Sequence, residues 1–142
     1  MAVEDLWRLF DIIGTLAFAV SGALVGISRR MDIFGISVLA LATAVGGGMV
    51  RDVLVGITPP MALRDTTNFL LSVGVALATS FLYQWTALHR MRRQRLLTIF
   101  NVSDTIGLAA FTITGALTGV RVGGDDSYVL PILLATTTAV GG

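Results

Sequence analysis

Cysteine and lysine are both missing from these 142 residues. Without cysteine there are no disulfides and no thiolate metal sites, and the redox compartment leaves no mark. All ten basic residues are therefore arginine. Charge is scarce as well, at 13% of residues against 54% hydrophobic, with a mean hydropathy of +0.82. A soluble domain carries about 25% charge. The single histidine, His89, stands among arginines and reads as a solvated loop residue. No paired-carboxylate motif and no metal-ligand spacing accompany it, which points away from an enzyme and from any cofactor. The start, with Glu4 and Asp5, lacks the positive n-region of a secretory signal peptide, so no cleavage is expected. Net charge is only +1, so its distribution carries the information.

What the chain does have is a series of long uncharged runs, the mark of a polytopic α-helical membrane protein. Five spans of about 20 residues fit the length. Span 1 covers residues 12–28, opened by Asp11, with Trp7 before it as an interfacial anchor. A short polar turn at Arg29, Arg30 and Asp32 leads into span 2, from Ile33 through a run of glycines. Span 3 covers residues 66–88, with Tyr83 and Trp85 near its end as an aromatic belt. The most basic loop follows, with Arg90, Arg92, Arg93 and Arg95. Span 4 covers residues 105–120 after Asp104, and span 5 begins near Tyr128. The arginine-rich loops 1–2 and 3–4 share one side, which by the positive-inside rule is cytoplasmic and leaves the N-terminus outside. The basic loop serves as a topology signal, and anionic lipid is a possible partner for it. Nucleic acid is not expected, because these arginines border a membrane span.

The chain repeats itself. Residues 11–26 align without gaps to residues 104–119, with nine of sixteen positions identical. The matches include Asp11 with Asp104 and Gly14, Gly22 and Gly26 with Gly107, Gly115 and Gly119. After a two-residue insertion, Thr43-Ala44-Val45-Gly46-Gly47 matches Thr138-Ala139-Val140-Gly141-Gly142. The unit holds three spans, an odd number, so the second copy must enter from the opposite face. Inverted repeats of this kind are a transport architecture. Residues 1–95 form the first three-helix repeat with its basic cytoplasmic loop. Residues 96–142 form the second, which is expected to be truncated because it stops within span 5 at Gly142.

Gly46, Gly47 and Gly48 are followed by Met49, Val50, Arg51 and Asp52. Each glycine weakens a helix by about 1 kcal/mol, and Gly46 lies about 20 Å into span 2. A break in the helix is expected there. Exposed carbonyls would suit a partly dehydrated monovalent cation; the alternative is a kink for close packing. Arg51 and Asp52 are sequence neighbours and are not expected to face each other on a helix, so each needs its own partner. Arg51 either regulates an ion path or snorkels to headgroups, and Asp52 either attracts cations or sits at the interface. Asp11 and Asp104 read either as N-caps or as cation vestibules on opposite faces. Ser21, Thr43, Thr112, Thr114, Thr136, Thr137 and Thr138 either line a polar path or bond their own backbone.

The doubled three-span unit and the GGGxxRD pattern at residues 46–52 resemble the prokaryotic trimeric intracellular cation (TRIC) channel family. The resemblance covers essentially the whole chain. It implies seven spans, a homotrimer in a prokaryotic inner membrane, and one potassium-selective path per protomer, with spans 2 and 5 bent at their glycines. Carried over by position, Gly46, Gly47, Gly48, Arg51 and Asp52 match the motif, and in the second copy Gly141 and Gly142. Potassium is then transported cargo rather than a cofactor. Related bacterial proteins carry a glycine-transporter label, so a secondary carrier for a small solute such as glycine is the alternative.

Overall fold

The computed structural model describes residues 3–64, 66–85, 93–124 and 128–142, and every element among them is helical. In chain order these are α1 (Val3–Ser28), α2 (Ile33–Leu54), α3 (Met61–Arg64), α4 (Thr66–Trp85), α5 (Arg93–Gly123) and α6 (Val129–Val140). The five long helices stand where the five uncharged runs predict spans. By length and composition α1, α2 and the stretch Gln94–Gly123 are long and apolar enough to cross a membrane. The apolar stretches Phe69–Thr79 and Val129–Val140 are shorter. Residues 86–92, Asp65, Asp125 and Asp126 lie outside the described residues, as do the side chains of Tyr83 and Trp85. The basic-loop and aromatic-belt expectations fall largely there.

Two helix starts differ from expectation. α1 begins at Val3 and α5 at Arg93, so Asp11 and Asp104 lie in helix interiors and neither is an N-cap. Helical hydrogen bonding simply continues outward past the last uncharged residue, which hydropathy alone does not register. The boundary at residues 95/96 consequently falls inside α5. The turn at Arg29 and Arg30 is as expected, and Asp32 caps α2 by accepting from the Gly35 N–H at 2.8 Å. Pro131 falls in the first turn of α6, where its missing N–H costs no helical bond.

Glycines let the helices meet backbone to backbone. A Cβ on Gly22 would lie 2.9 Å from Ala40 Cα, and one on Gly26 would lie 3.1 Å from Ile36 Cα. These contacts bind α1 to α2. Their counterparts bind α5 to α6: Gly115 meets Ala135 and Gly119 meets Pro131. The pairings match position for position under the sequence repeat. Small residues at crossings are what membrane helices need, because lipid supplies no hydrophobic drive between them. Ala23, Ile36, Ala40 and Ala76 complete the first repeat's core between α1, α2 and α4.

The two repeats are joined mainly through α1 and α5, which run antiparallel. Gly14 faces the Phe111 ring, and its counterpart Gly107 faces the Phe18 ring, 2.9 Å from a built Cβ. The rings themselves meet, with centroids 5.1 Å apart at 56°. Further out, Ser21 pairs with Asp104 and Trp7 with Thr118. Each pair lies on one antiparallel register, and the glycine–phenylalanine contacts exchange when the copies are exchanged. That reciprocity is a local two-fold relation, so the repeats are inverted.

The expected break at Gly46, Gly47 and Gly48 is absent: α2 is helical without interruption from Ile33 to Leu54. Gly46 and Gly47 are occupied in a contact with the C-terminal end of α6. A Cβ on Gly46 would lie 2.6 Å from the Gly141 carbonyl, and one on Gly47 would collide with the Thr138 carbonyl. Reciprocally, a Cβ on Gly142 would lie 3.1 Å from the Thr43 carbonyl. Opening the helix would leave carbonyls unpaired at several kcal/mol each, more than glycine's weak helix propensity can offset.

Gly22→Leu should therefore push α1 from α2 and cost about 1–3 kcal/mol as an overpacking change. Thermal unfolding of the detergent-solubilised full-length protein measures this. Phe34→Ala, whose side chain is exposed on α2, should leave the midpoint unchanged.

Candidate functional site

A cavity of about 550 Å³ opens between α1, α2, α3 and α5. Its lining includes Glu4, Trp7, Arg8, Asp11 and Thr15 from α1, Gly48, Arg51 and Asp52 from α2, and Phe111, Thr118 and Arg121 from α5. Three carboxylates and three guanidiniums line it altogether. Glu4, Arg8 and Arg121 are exposed, whereas Asp11, Arg51 and Asp52 are buried.

The inner cluster is built on the last turn of α2. Arg51 donates from Nε to Asp52 Oδ1 at 3.0 Å, and its Nη2 lies 2.9 Å from the same oxygen. This corrects the expectation that neighbouring residues would seek separate partners. The arginine stem is long enough to fold back along the helix end, so the adjacent carboxylate is its nearest counter-charge. Arg51 is 2% exposed and Asp52 1%, so Arg51 does not snorkel outward. Asp11 approaches from α1, its Oδ1 3.7 Å from Arg51 Nη1. Trp7 covers the other side, with the guanidinium carbon 5.1 Å from its ring centroid, a cation–π distance.

Asp52 is tied to the following turn as well. Its Oδ2 accepts the Met61 N–H at 2.8 Å, and its backbone carbonyl accepts the Ile57 N–H at 2.8 Å. Gly56 permits the second bond by taking φ +77°, a left-handed helix ending that favours glycine. The α2–α3 connection thus folds back over the pair.

Of the residues anticipated from sequence, Gly48, Arg51, Asp52 and Asp11 come together on the cavity. Gly46, Gly47, Gly141 and Gly142 are placed at the α2–α6 contact instead. Asp104 is half-buried on the opposite end of the α1–α5 contact, where the Ser21 hydroxyl donates to its Oδ1 at 3.3 Å. Thr43, Thr112, Thr114, Thr136 and Thr137 all donate to carbonyls of their own helices. Among the described residues no group of three or more metal-ligating side chains forms.

Sequence reasoning missed Trp7 and Thr118. Trp7 was expected at the interface; it instead turns its ring to Arg51 and donates from Nε1 to Thr118 Oγ1 at 3.1 Å. Thr118 occupies a position that the repeat equates with Val25, a substitution to a polar side chain that the alignment already displays.

A family model described as "Glycine transporter" matches residues 8–84 and again residues 101–142, once on each repeat. The chain belongs to this family of membrane proteins. It is 46% identical over 80% of its length to a UPF0126 membrane protein of Deinococcus radiodurans, covering 49% of that protein. It is 38% identical over 96% of its length to the UPF0126 membrane protein YvgT of Bacillus subtilis, covering 63% of it. Escherichia coli has a similar inner membrane protein, YadS, at 35% identity over 93% of this chain and 60% of that one. Among solved structures, a prokaryotic TRIC channel superposes with a TM-score of 0.88 at 32% identity, over 97% of this chain and 66% of that one. The TRIC orthologue from Rhodobacter sphaeroides gives 0.83 at 32% identity, over 95% of this chain and 65% of that one. The TRIC resemblance read from the repeat and the GGGxxRD pattern is thus met in the fold. The chain spans 49–66% of the length of these proteins.

Removing one partner of a buried ion pair costs about 3–5 kcal/mol, because the other charge stays buried. Arg51→Met should therefore destabilise the full-length protein strongly, because it removes the cation that Asp52 binds. Arg51→Met combined with Asp52→Asn should recover part of the loss. Chemical denaturation in detergent compares the two.

Proposed function

We propose that the full-length protein is a cation channel that conducts monovalent cations, potassium among them, through the cavity of each protomer. The observation that carries this reading is the Asp11–Arg51–Asp52 cluster at the buried end of a cavity within an inverted repeat. Two carboxylates there face one guanidinium, leaving a net negative end that favours a cation over an anion. Solved structures similar to this chain are named as TRIC and cation channels, which supports the same class. No catalytic role is assigned. Gly48 lines the cavity beside Arg51, whose Nη2 would lie in ordinary contact, 3.7 Å, from a Cβ placed there.

The assembly we propose is a homotrimer, spanning a prokaryotic inner membrane with the N-terminus outside and the arginine-rich loops toward the cytoplasm and its anionic lipid. A second reading, a secondary carrier for a small solute such as glycine, has the description of the matching family model in its favour.

Planar-bilayer recording of the full-length protein separates these. Unitary potassium currents are expected; saturable glycine uptake with counter-flow and no unitary currents would establish the carrier instead. Asp11→Asn should lower potassium conductance about twofold at low ionic strength and less at high salt, because screening weakens the attraction of a fixed charge.

A further inference from the structure

We propose that Phe18 and Phe111 form an apolar gate that separates the cavity at Asp11 from the Ser21–Asp104 pair on the other side of the rings. Phe111 closes the inner wall of the cavity that holds Asp11 and Arg51. Phe18 lies directly behind it, and both rings are 1% exposed. Beyond them lies the Ser21–Asp104 pair, with Ser21 buried and Asp104 half-buried. Along α1 the order is Asp11, Gly14, Phe18, Ser21, so the two polar levels are about 15 Å apart with the rings between them. An apolar constriction of this kind blocks ions by excluding water rather than by filling all space.

The rings are held by absences of side chain. Gly14 leaves the recess that Phe111 occupies, and Gly107 leaves the one that Phe18 occupies. A third glycine, Gly142, touches Phe18 from the end of the second repeat, where a Cβ would lie 2.6 Å from Cε2. The α2–α6 contact at Gly46, Gly47 and Gly141 adjoins Gly142. A shift of α6 against α2 would therefore move a wall of the Phe18 recess, which gives the glycine motif a route to the gate without unwinding α2. The two-fold relation makes the gate symmetrical, so either ring is a valid target.

The test reads accessibility before conduction, so it stands apart from the channel reading it extends. Ser21→Cys is placed in full-length protein without other cysteines, and a membrane-impermeant methanethiosulfonate reagent is applied from each side in turn. Gly48→Cys, on the cavity, identifies the side that reaches Arg51. From that side Ser21→Cys should react slowly with both rings intact and about tenfold or more faster with Phe111→Ala. Phe111→Leu, which keeps an apolar plug, should stay slow. Phe18→Ala should reproduce Phe111→Ala, and Phe111→Val serves where the alanine variant does not fold. Equal labelling with and without the rings, in protein that elutes as a folded species, overturns the gate. Faster labelling without any potassium current in the bilayer overturns the channel reading and leaves the gate standing.

Discussion

Inside an apolar slab a backbone carbonyl has no water to turn to, and this constraint decides what glycine can do here. Three successive glycines weaken a helix, yet α2 runs through them intact because unpaired peptide groups in hydrocarbon cost more than the lost propensity. Glycine is then useful for what it lacks. Gly46 and Gly47 bring α6 close enough for its carbonyls to occupy the space a Cβ would fill. The same substitution of absence for side chain recurs at Gly22 and Gly26, where α1 meets α2, and at Gly115 and Gly119, where α5 meets α6.

From those crossings follows the symmetry. A duplicated sequence could pack its copies in many ways, but reciprocal glycine–phenylalanine recesses admit one antiparallel register between α1 and α5. Gly14 with Phe111 and Gly107 with Phe18 are one contact made twice. Once that register is set, Trp7 must lie beside Thr118, and Ser21 beside Asp104. The cavity is then a consequence of where the glycines end and larger side chains begin.

The spans, the repeat and its inversion were legible in the sequence because hydropathy and matched spacing report burial and duplication directly. Asp11 and Asp104 were misjudged as helix starts, since the ends of uncharged runs are not the ends of hydrogen bonding. The fate of the glycine run was not legible: propensity is a property of one helix, and the deciding partner, the α6 carbonyls, comes from residues about 95 positions away. The Arg51–Asp52 bond was hidden for a related reason. Helical facing rules describe Cβ directions, and a long arginine stem at a helix end escapes them. Trp7 looked like any interfacial tryptophan until the register with α5 brought Thr118 to its indole N–H.

Asp11 and Asp104 are equivalent by sequence, yet Asp11 faces a buried guanidinium and Asp104 faces a serine hydroxyl. Asp52 restores the negative balance, but only while its carboxylate stays tied to Arg51 and to the Met61 N–H. A buried pair of this kind adds little net stability over an apolar substitute, so its physical consequence is positional: it fixes one positive charge against the cavity wall and lets Trp7 hold it from the other side.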